Sequence, residues 1–248
     1  MQKVFLYSAA LIFSCLTSLT HAQQPKELII GFDDFPPITY VDEQGQSQGT
    51  ALNYAQQVLE ELGYRVKFRA LPSARLYKEL ISGKVDIWMG ALGKSELKNH
   101  ILESRYSIEQ INLALYYPLE QVTPNLPYDL KNKKIITIKG FSYWEKVNTW
   151  LNDKDLNIKV IQASSHTSAI AMLLKKRGDF LLSYQEPMSF TRQALGIESL
   201  QLPFIVLQKI PLSFILSKQT PHAHSIMQAI DAHLAQSGLH ILETEKEP

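Results

Sequence analysis

Cysteine, a charge surplus of either sign and long apolar runs are all scarce in this sequence. The 248 residues contain one cysteine, and 25 lysines and arginines are balanced by 24 aspartates and glutamates. A disulfide scaffold needs paired cysteines, and a nucleic-acid partner needs a basic patch that the sequence does not show. Hydrophobic residues make up 45% of the chain, too many for a disordered polar protein. The composition is that of a globular protein.

The first 22 residues have the pattern of a secretory signal peptide. Lys3 gives a positive start, Val4 to Leu19 is mostly apolar and uncharged, and Ala22 is a small residue suited to a signal peptidase. We therefore predict cleavage after Ala22 and a periplasmic location.

Two alternatives to this signal peptide remain. An uncleaved membrane anchor would need a longer apolar run, and lipid modification of Cys15 would need a smaller residue than Phe13 before it. If cleavage occurs, the mature chain has no thiol for nucleophilic catalysis, zinc binding or an iron–sulfur cluster.

Strands and helices are predicted to alternate twice along the mature chain. Periods of two and of three to four in the apolar residues, with glycine and proline at the boundaries, define these elements. The predicted strands are 28–30, 64–70, 85–89, 135–138, 158–161, 180–183 and 212–216. The predicted helices are 50–62, 72–81, 143–151, 168–176, 187–195 and 221–236. This order predicts two similar α/β lobes with mostly parallel sheets and flanking helices.

The signatures of common enzymes are missing from the sequence. It has no Gly-x-Ser-x-Gly elbow, phosphate loop, dinucleotide-binding glycine motif or His-Glu-x-x-His pair. His222 and His224 could bind a metal, but residues two apart on a helix point to different sides, which favours a solvated surface. We expect no metal and no cofactor.

Polar and aromatic residues follow the predicted strands, at the edge where open parallel sheets bind ligands. Ser142 and Thr167 could equally be helix caps, Trp88 a core residue and Arg75 a solvated residue. The candidate ligand-binding residues are Phe35, Arg75, Trp88, Gly93, Ser95, Lys98, Lys139, Ser142, Tyr143, Thr167, Tyr184 and Glu186.

The ordered motifs of the chain resemble those of the extracytoplasmic solute-binding proteins of family 3, the amino-acid-type receptors of ABC importers. The motifs are Gly31 to Tyr40, Leu80 to Asp86, Lys139-Gly140 and Ile210 to Lys218. The resemblance implies a two-lobed periplasmic-binding-protein fold of type II with the ligand in the cleft between the lobes. It implies a monomer that captures an amino acid or related small anion and delivers it to an importer permease.

The same resemblance implies how the chain divides into lobes. Because the chain of such proteins crosses twice between the lobes, residues 23–111 and 209–248 would form the first lobe. Residues 112–208 would form the second.

The family's ligand residues match this chain unevenly. Phe35 matches the aromatic residue that packs on the ligand, and Lys139 matches a lysine of glutamine-binding members. Lys98 stands where the resemblance implies an arginine for the ligand carboxylate, and a lysine lacks its two-pronged geometry. Tyr184 stands where it implies an aspartate for the ligand ammonium, for which Glu186 could compensate.

Arg75 is a further candidate anchor for an anion. Two other functions stay open for this scaffold. A dehydratase-like enzyme would need an acid or base in the cleft, for which Glu186 and His166 are the candidates. A membrane-sensor subunit would use the same closure as an importer's receptor.

Overall fold

The predicted strands and helices occur in the predicted order, and four further strands lie between them. The computed structural model describes residues 26–141 and 143–238, which form eleven strands and six α-helices. The predicted signal peptide, residues 1–22, and the candidate residue Ser142 lie outside the described residues. Within this part of the chain, no helix has both the length and the apolar character needed to cross a membrane.

The elements have well-defined bounds. The strands are β1 (Glu27–Phe32), β2 (Tyr40–Val41), β3 (Ser47–Gln48), β4 (Arg65–Ala70), β5 (Ile87–Ala91), β6 (Ile101–Glu103), β7 (Glu109–Tyr116), β8 (Lys134–Ile138), β9 (Lys159–Ala163), β10 (Phe180–Tyr184) and β11 (Phe204–Ser217). The helices are α1 (Thr50–Glu61), α2 (Ser73–Ile81), α3 (Glu145–Asn152), α4 (His166–Leu174), α5 (Gln185–Ala194) and α6 (Ala223–Gln236).

Two long antiparallel strands join two groups of parallel strands into one sheet. The order along the sheet is β4-β1-β5-β11-β7-β10-β8-β9, and β6 pairs with β11. On one side β1 pairs in parallel with β4 and β5, and on the other β8 pairs in parallel with β9 and β10. We call β1, β4 and β5 with α1, α2 and α6 the first lobe, and β8–β10 with α3–α5 the second lobe. The predicted two-lobed α/β fold is confirmed.

The two central strands β7 and β11 differ most from the sequence prediction. β7 was not predicted, and β11 begins at Phe204 rather than at Leu212. Pro211 lies inside β11, opposite Gln110 of β7, although it has no N–H to donate to the ladder. The predicted lobe boundaries, at 111/112 and 208/209, fall within these strands and stay a prediction.

The start of α1 fixes the position of the segment that follows β1, which contributes to the pocket described below. The helix begins after Gly49, whose φ of 137° favours glycine. A Cβ at this position would lie 2.1 Å from the carbonyl oxygen of Ile38, so the close approach of the two segments also requires glycine. Ala51, Leu52 and other apolar residues of α1 are buried against the sheet.

A buried carboxylate ties the last helix to the segment that follows β6. Asp231 of α6 accepts hydrogen bonds from Ser104 Oγ at 2.7 Å and from the backbone N–H of Arg105 at 3.2 Å. Its second oxygen pairs with Arg105 Nε at 3.1 Å. α6 therefore packs on the face that also carries α1.

Candidate functional site

A pocket lies between the two lobes, at the carboxyl ends of their parallel strands. Its first wall comes from the loop after β1, the start of α2 and the end of β5, and its second from the ends of β8 and β10. The lining residues are Asp33, Phe35, Ile38, Thr39, Ser73, Tyr77, Trp88, Met89, Gly90, Ala91, Lys94, Ile111, Phe141, Tyr184 and Leu212. The centre of a water molecule can reach only about 50 Å³ of this pocket. A solute of amino-acid size therefore enters only if the lobes move apart.

Asp33 is the acidic group of the pocket. Its Oδ2 accepts a hydrogen bond of 2.7 Å from Ser73 Oγ. Thr39 Oγ1 donates to the backbone carbonyl of Asp33 at 2.8 Å, which fixes the loop. Burial raises the pKa of Asp33 above its ordinary value, and the bond from Ser73 opposes this rise.

Lys94 is the basic group of the pocket. Only 6% of the residue is exposed, and burial lowers its pKa, while the carboxylates of Glu96 and Asp33 act in the opposite direction. Its Nζ lies 4.7 Å from the ring centroid of Trp144, which precedes α3 of the second lobe. Asp33 and Lys94 thus place one carboxyl group and one amino group on the first lobe's wall.

Aromatic rings join the two walls. The ring centroid of Phe35 lies 5.7 Å from that of Phe141 and 5.1 Å from that of Tyr184. Phe141 and Tyr184 are 5.9 Å apart in an edge-to-face arrangement. Burial raises the pKa of the Tyr184 hydroxyl, so this group stays neutral at physiological pH. The second lobe's wall is therefore aromatic and uncharged.

Six of the predicted site residues lie at or beside this pocket. Phe35, Trp88 and Tyr184 line it. A second, wider groove shares Lys94 with the pocket, and its lining includes the remaining three, Gly93, Ser95 and Tyr143.

The inward end of Tyr143 is committed to the protein core. Its hydroxyl accepts from the backbone N–H of Ile138 at 2.9 Å and donates to the carbonyl of Leu182 at 3.3 Å. Only the outer part of the side chain is left for the groove.

The other predicted site residues lie elsewhere. Arg75 Nε is 2.8 Å from Glu79 Oε1, one helical turn away, and 69% of the arginine side chain is exposed. Lys98 and Lys139 are exposed and outside the pocket lining. Thr167 is exposed in the first turn of α4, which is capped by Ser165.

Glu186 lies in a separate groove beside the crossing strands. Its Oε1 accepts hydrogen bonds from the backbone N–H and Nδ2 of Asn112 in β7, at 3.1 and 3.2 Å. Burial raises its pKa, and hydrogen bonds from Asn112 partly offset the rise. The carboxylate thus holds β7 to the start of α5.

His166 lies behind the second wall of the pocket. Its ring centroid is 5.3 Å from that of Phe141, and burial lowers its pKa to about 4. The imidazole is therefore neutral at physiological pH. Like Glu186, it is not among the residues that line the pocket.

Sequence reasoning did not single out Asp33 and Lys94. Asp33 stands directly after a buried strand, which is the signal that could have identified it. Lys94 follows β5 in the same way, between Gly93 and Ser95, but a lysine in a loop is usually solvated.

The comparisons with known proteins agree with this architecture. Residues 28–115 match the family of bacterial extracellular solute-binding proteins, family 3. The resemblance to family 3 is confirmed. No curated protein sequence matches the chain.

Several solved structures share the fold of this chain. An ancestral arginine-binding protein bound to arginine is 20% identical, with a TM-score of 0.70 over 87% of this chain and 93% of that one. A histidine kinase sensor domain with similarity to periplasmic binding proteins is 15% identical, with a TM-score of 0.71 over 87% and 92%. An ABC uptake transporter substrate-binding protein from Streptococcus pneumoniae, with bound histidine, is 19% identical, with a TM-score of 0.68 over 85% and 86%. At these identities the likeness establishes the two-lobed periplasmic-binding-protein fold.

Proposed function

We propose that this protein captures a small polar solute of amino-acid size in the pocket between its lobes and delivers it to an ABC importer. The observation that carries the proposal is the origin of the pocket walls. Asp33, Phe35 and Lys94 come from the first lobe, and Phe141 and Tyr184 from the second. A solute in contact with both walls stabilises the arrangement in which the lobes meet.

Closure follows from this differential contact. When the lobes are apart, a solute touches one wall, and when they meet it touches both. The solute therefore shifts the population toward the closed form by the difference in its affinity for the two forms. A membrane permease that recognises the closed surface then receives only the loaded protein.

The binding residues that we propose are Phe35, Trp88 and Tyr184 from the predicted set, together with Asp33 and Lys94. Gly93, Ser95 and Tyr143 would line the approach to the pocket. The lobe boundaries in β7 and β11 would provide the hinge, because both strands run from one lobe into the other.

The proposal includes export as a monomer to the periplasm, with cleavage after Ala22. Sequencing the amino terminus of the protein recovered from the periplasm tests the cleavage site. A chain that keeps residues 1–22 in the membrane fraction would contradict it.

The decisive experiment identifies the solute. Mass spectrometry of molecules released by denaturing freshly purified protein should show one enriched small solute. Adding that solute back to stripped protein should raise the melting temperature and reduce the radius of gyration in solution scattering. A protein that releases no solute, and shows neither response with amino acids, organic acids or sugars, would contradict a binding function.

A sensor subunit is the second candidate, and the similarity to a histidine kinase sensor domain favours keeping it. Both functions use the same closure, so binding measurements do not separate them. Uptake does: deletion of an importer's receptor lowers cellular uptake of the solute, whereas deletion of a sensor changes gene expression and leaves uptake by existing transporters intact.

A further inference from the structure

The ionisable groups of the pocket are unequally divided between the lobes. Among the described residues that line the pocket, the one side-chain carboxyl group is that of Asp33 and the one side-chain amino group is that of Lys94, both from the first lobe. The second lobe contributes Phe141 and the neutral phenol of Tyr184. The resemblance to amino-acid receptors implied anchors of opposite charge at the positions of Lys98 and Tyr184, but one is outside the pocket lining and the other is uncharged.

The two charged groups of the pocket balance each other. With Asp33 and Lys94 both ionised, the pocket has no net charge. Two further charged groups that act on them, Asp34 and Glu96, are exposed, and water screens their influence. Closure over a solute therefore leaves a buried net charge equal to that of the solute itself.

A buried net charge is costly. An ion that leaves water without compensation loses several kilocalories per mole of solvation, whereas a pair of opposite charges with good geometry largely recovers this loss. A singly charged anion or cation would leave one charge unbalanced after closure. A solute with equal numbers of positive and negative groups, or with none, leaves the balance unchanged.

The remaining surface of the pocket favours a flat body. The rings of Phe35, Trp88, Phe141 and Tyr184 all line it. Planar unsaturated groups pack well against such rings in stacked or edge-to-face arrangements.

We propose that the solute is net neutral and carries a flat unsaturated face, and that the pair Asp33 and Lys94 selects it by charge balance. This inference rests on the proposed function, because it names the solute class of the same pocket. A zwitterion would place its ammonium group near Asp33 and its carboxylate near Lys94. An uncharged heterocycle would leave the charges of the two side chains to balance each other.

A matched series of ligands tests the proposal. L-phenylalanine, 3-phenylpropionate and phenethylamine share one ring but carry zero, negative and positive net charge, and uracil is an uncharged flat probe. Calorimetric titration of the stripped protein should show the stronger of L-phenylalanine and uracil binding at least about tenfold more tightly than either ion. Binding of L-phenylalanine with little binding of uracil would identify a zwitterion site, and the reverse an uncharged-ligand site.

Two variants each remove one of the two charged groups of the pocket. Asp33→Asn should increase the affinity for 3-phenylpropionate relative to L-phenylalanine by about tenfold, and Lys94→Met should do the same for phenethylamine. Glu43→Gln and Lys67→Met remove exposed charges outside the pocket and should leave the ratios unchanged. Thermal melts identify variants that fail to fold, and Asp33→Ser and Lys94→Gln then repeat the charge exchange.

The outcomes separate this inference from the proposed function. If the solute released from the purified protein, or the tightest ligand of the series, is an ion, charge balance is wrong and the binding function stands. If the variants change all affinities equally, the pair does not select by charge. If no solute is released and no compound binds, both proposals fail.

Discussion

The ring of Phe35, in the loop after the first strand, lies 5.1 Å from the ring of Tyr184 at the end of β10, with an angle of 67° between the two planes. These residues belong to different lobes, and 149 positions of sequence separate them. The contact closes the pocket on one side and makes each ring part of the other lobe's environment. A solute that binds beneath these rings is therefore held by both lobes.

Replacing Phe35 with alanine should weaken solute binding and leave folding largely intact. The change removes the ring that meets both Phe141 and Tyr184, and the lost contact is worth about 2 kcal/mol, or roughly thirtyfold in the dissociation constant. Calorimetric titration with the identified solute measures the loss. Phe204→Ala, which removes a ring packed on Tyr116 away from the pocket, is the control. Equal affinities of wild type and Phe35→Ala would place the solute elsewhere.

The contact between Lys94 and Trp144 should bias the lobes toward the closed arrangement. Trp144→Ala removes a cation–π contact across the cleft, worth about 0.5–2 kcal/mol. We expect a larger mean radius of gyration in solution scattering and a higher solute concentration at half-compaction. The matched control is Trp150→Ala, because the Lys146–Trp150 contact lies within α3 and does not cross the cleft. A compaction curve unchanged by Trp144→Ala would contradict this role.

The fold follows largely from local sequence patterns, whereas its centre does not. β1 and β4 show the periods and boundary residues that mark strands in a single segment. β7 is different, because Asn112 interrupts its apolar residues and its strand character depends on pairing with β11, far away in sequence. The first half of β11 was missed for the same reason. Proline is disfavoured in strands, so Pro211 argued against a strand here, but the pairing of β11 with β7 along its length tolerates this residue.

The site shows the same division between local and distant information. The sequence marks Phe35, Trp88 and Tyr184 by position, since each follows or ends a strand of the sheet. The burial of Lys94 depends on Trp144 from the other lobe, which no local pattern reveals. Arg75 is the opposite case, since Glu79 one turn later already offers it a partner on the same helix.

Acidification should destabilise the protein through His166. The pKa of His166 is about 4 in the folded chain, against an ordinary value of 6.5. Well above pH 6.5 the imidazole is neutral in both states. As the pH falls from 6.5 to about 4, the unfolded chain binds a proton that the folded chain does not, so the free energy of unfolding drops by about 3 kcal/mol across this window.

Denaturant unfolding at several pH values, with His166→Gln alongside the wild type, measures this contribution. The difference in unfolding free energy between the two proteins should change by this amount between pH 6.5 and 4, and stay constant above pH 7. His224→Gln, at an exposed histidine, should follow the wild-type curve. Parallel curves for wild type and His166→Gln would show that His166 is protonated equally in both states.

Glu186 should stabilise the hinge region without taking part in solute chemistry. Its carboxylate accepts two hydrogen bonds from Asn112 and faces a groove separate from the pocket. Glu186→Ala leaves the Asn112 N–H groups without this acceptor and should lower the free energy of unfolding by about 1–3 kcal/mol. Glu186→Gln keeps an acceptor of the same shape and should lose less. Both variants should bind the solute within about threefold of the wild type, since 1.4 kcal/mol would be needed for a tenfold change.

The same pair of variants tests the enzyme alternative. A dehydratase that used Glu186 as its acid or base would consume its substrate, and Glu186→Gln would stop turnover while leaving the fold and substrate binding intact. Chromatography of the solute after prolonged incubation with wild-type protein detects such consumption. Since the carboxylate is committed to the backbone of β7 and lies outside the pocket lining, we expect the solute to be recovered unchanged from the wild type and from both variants.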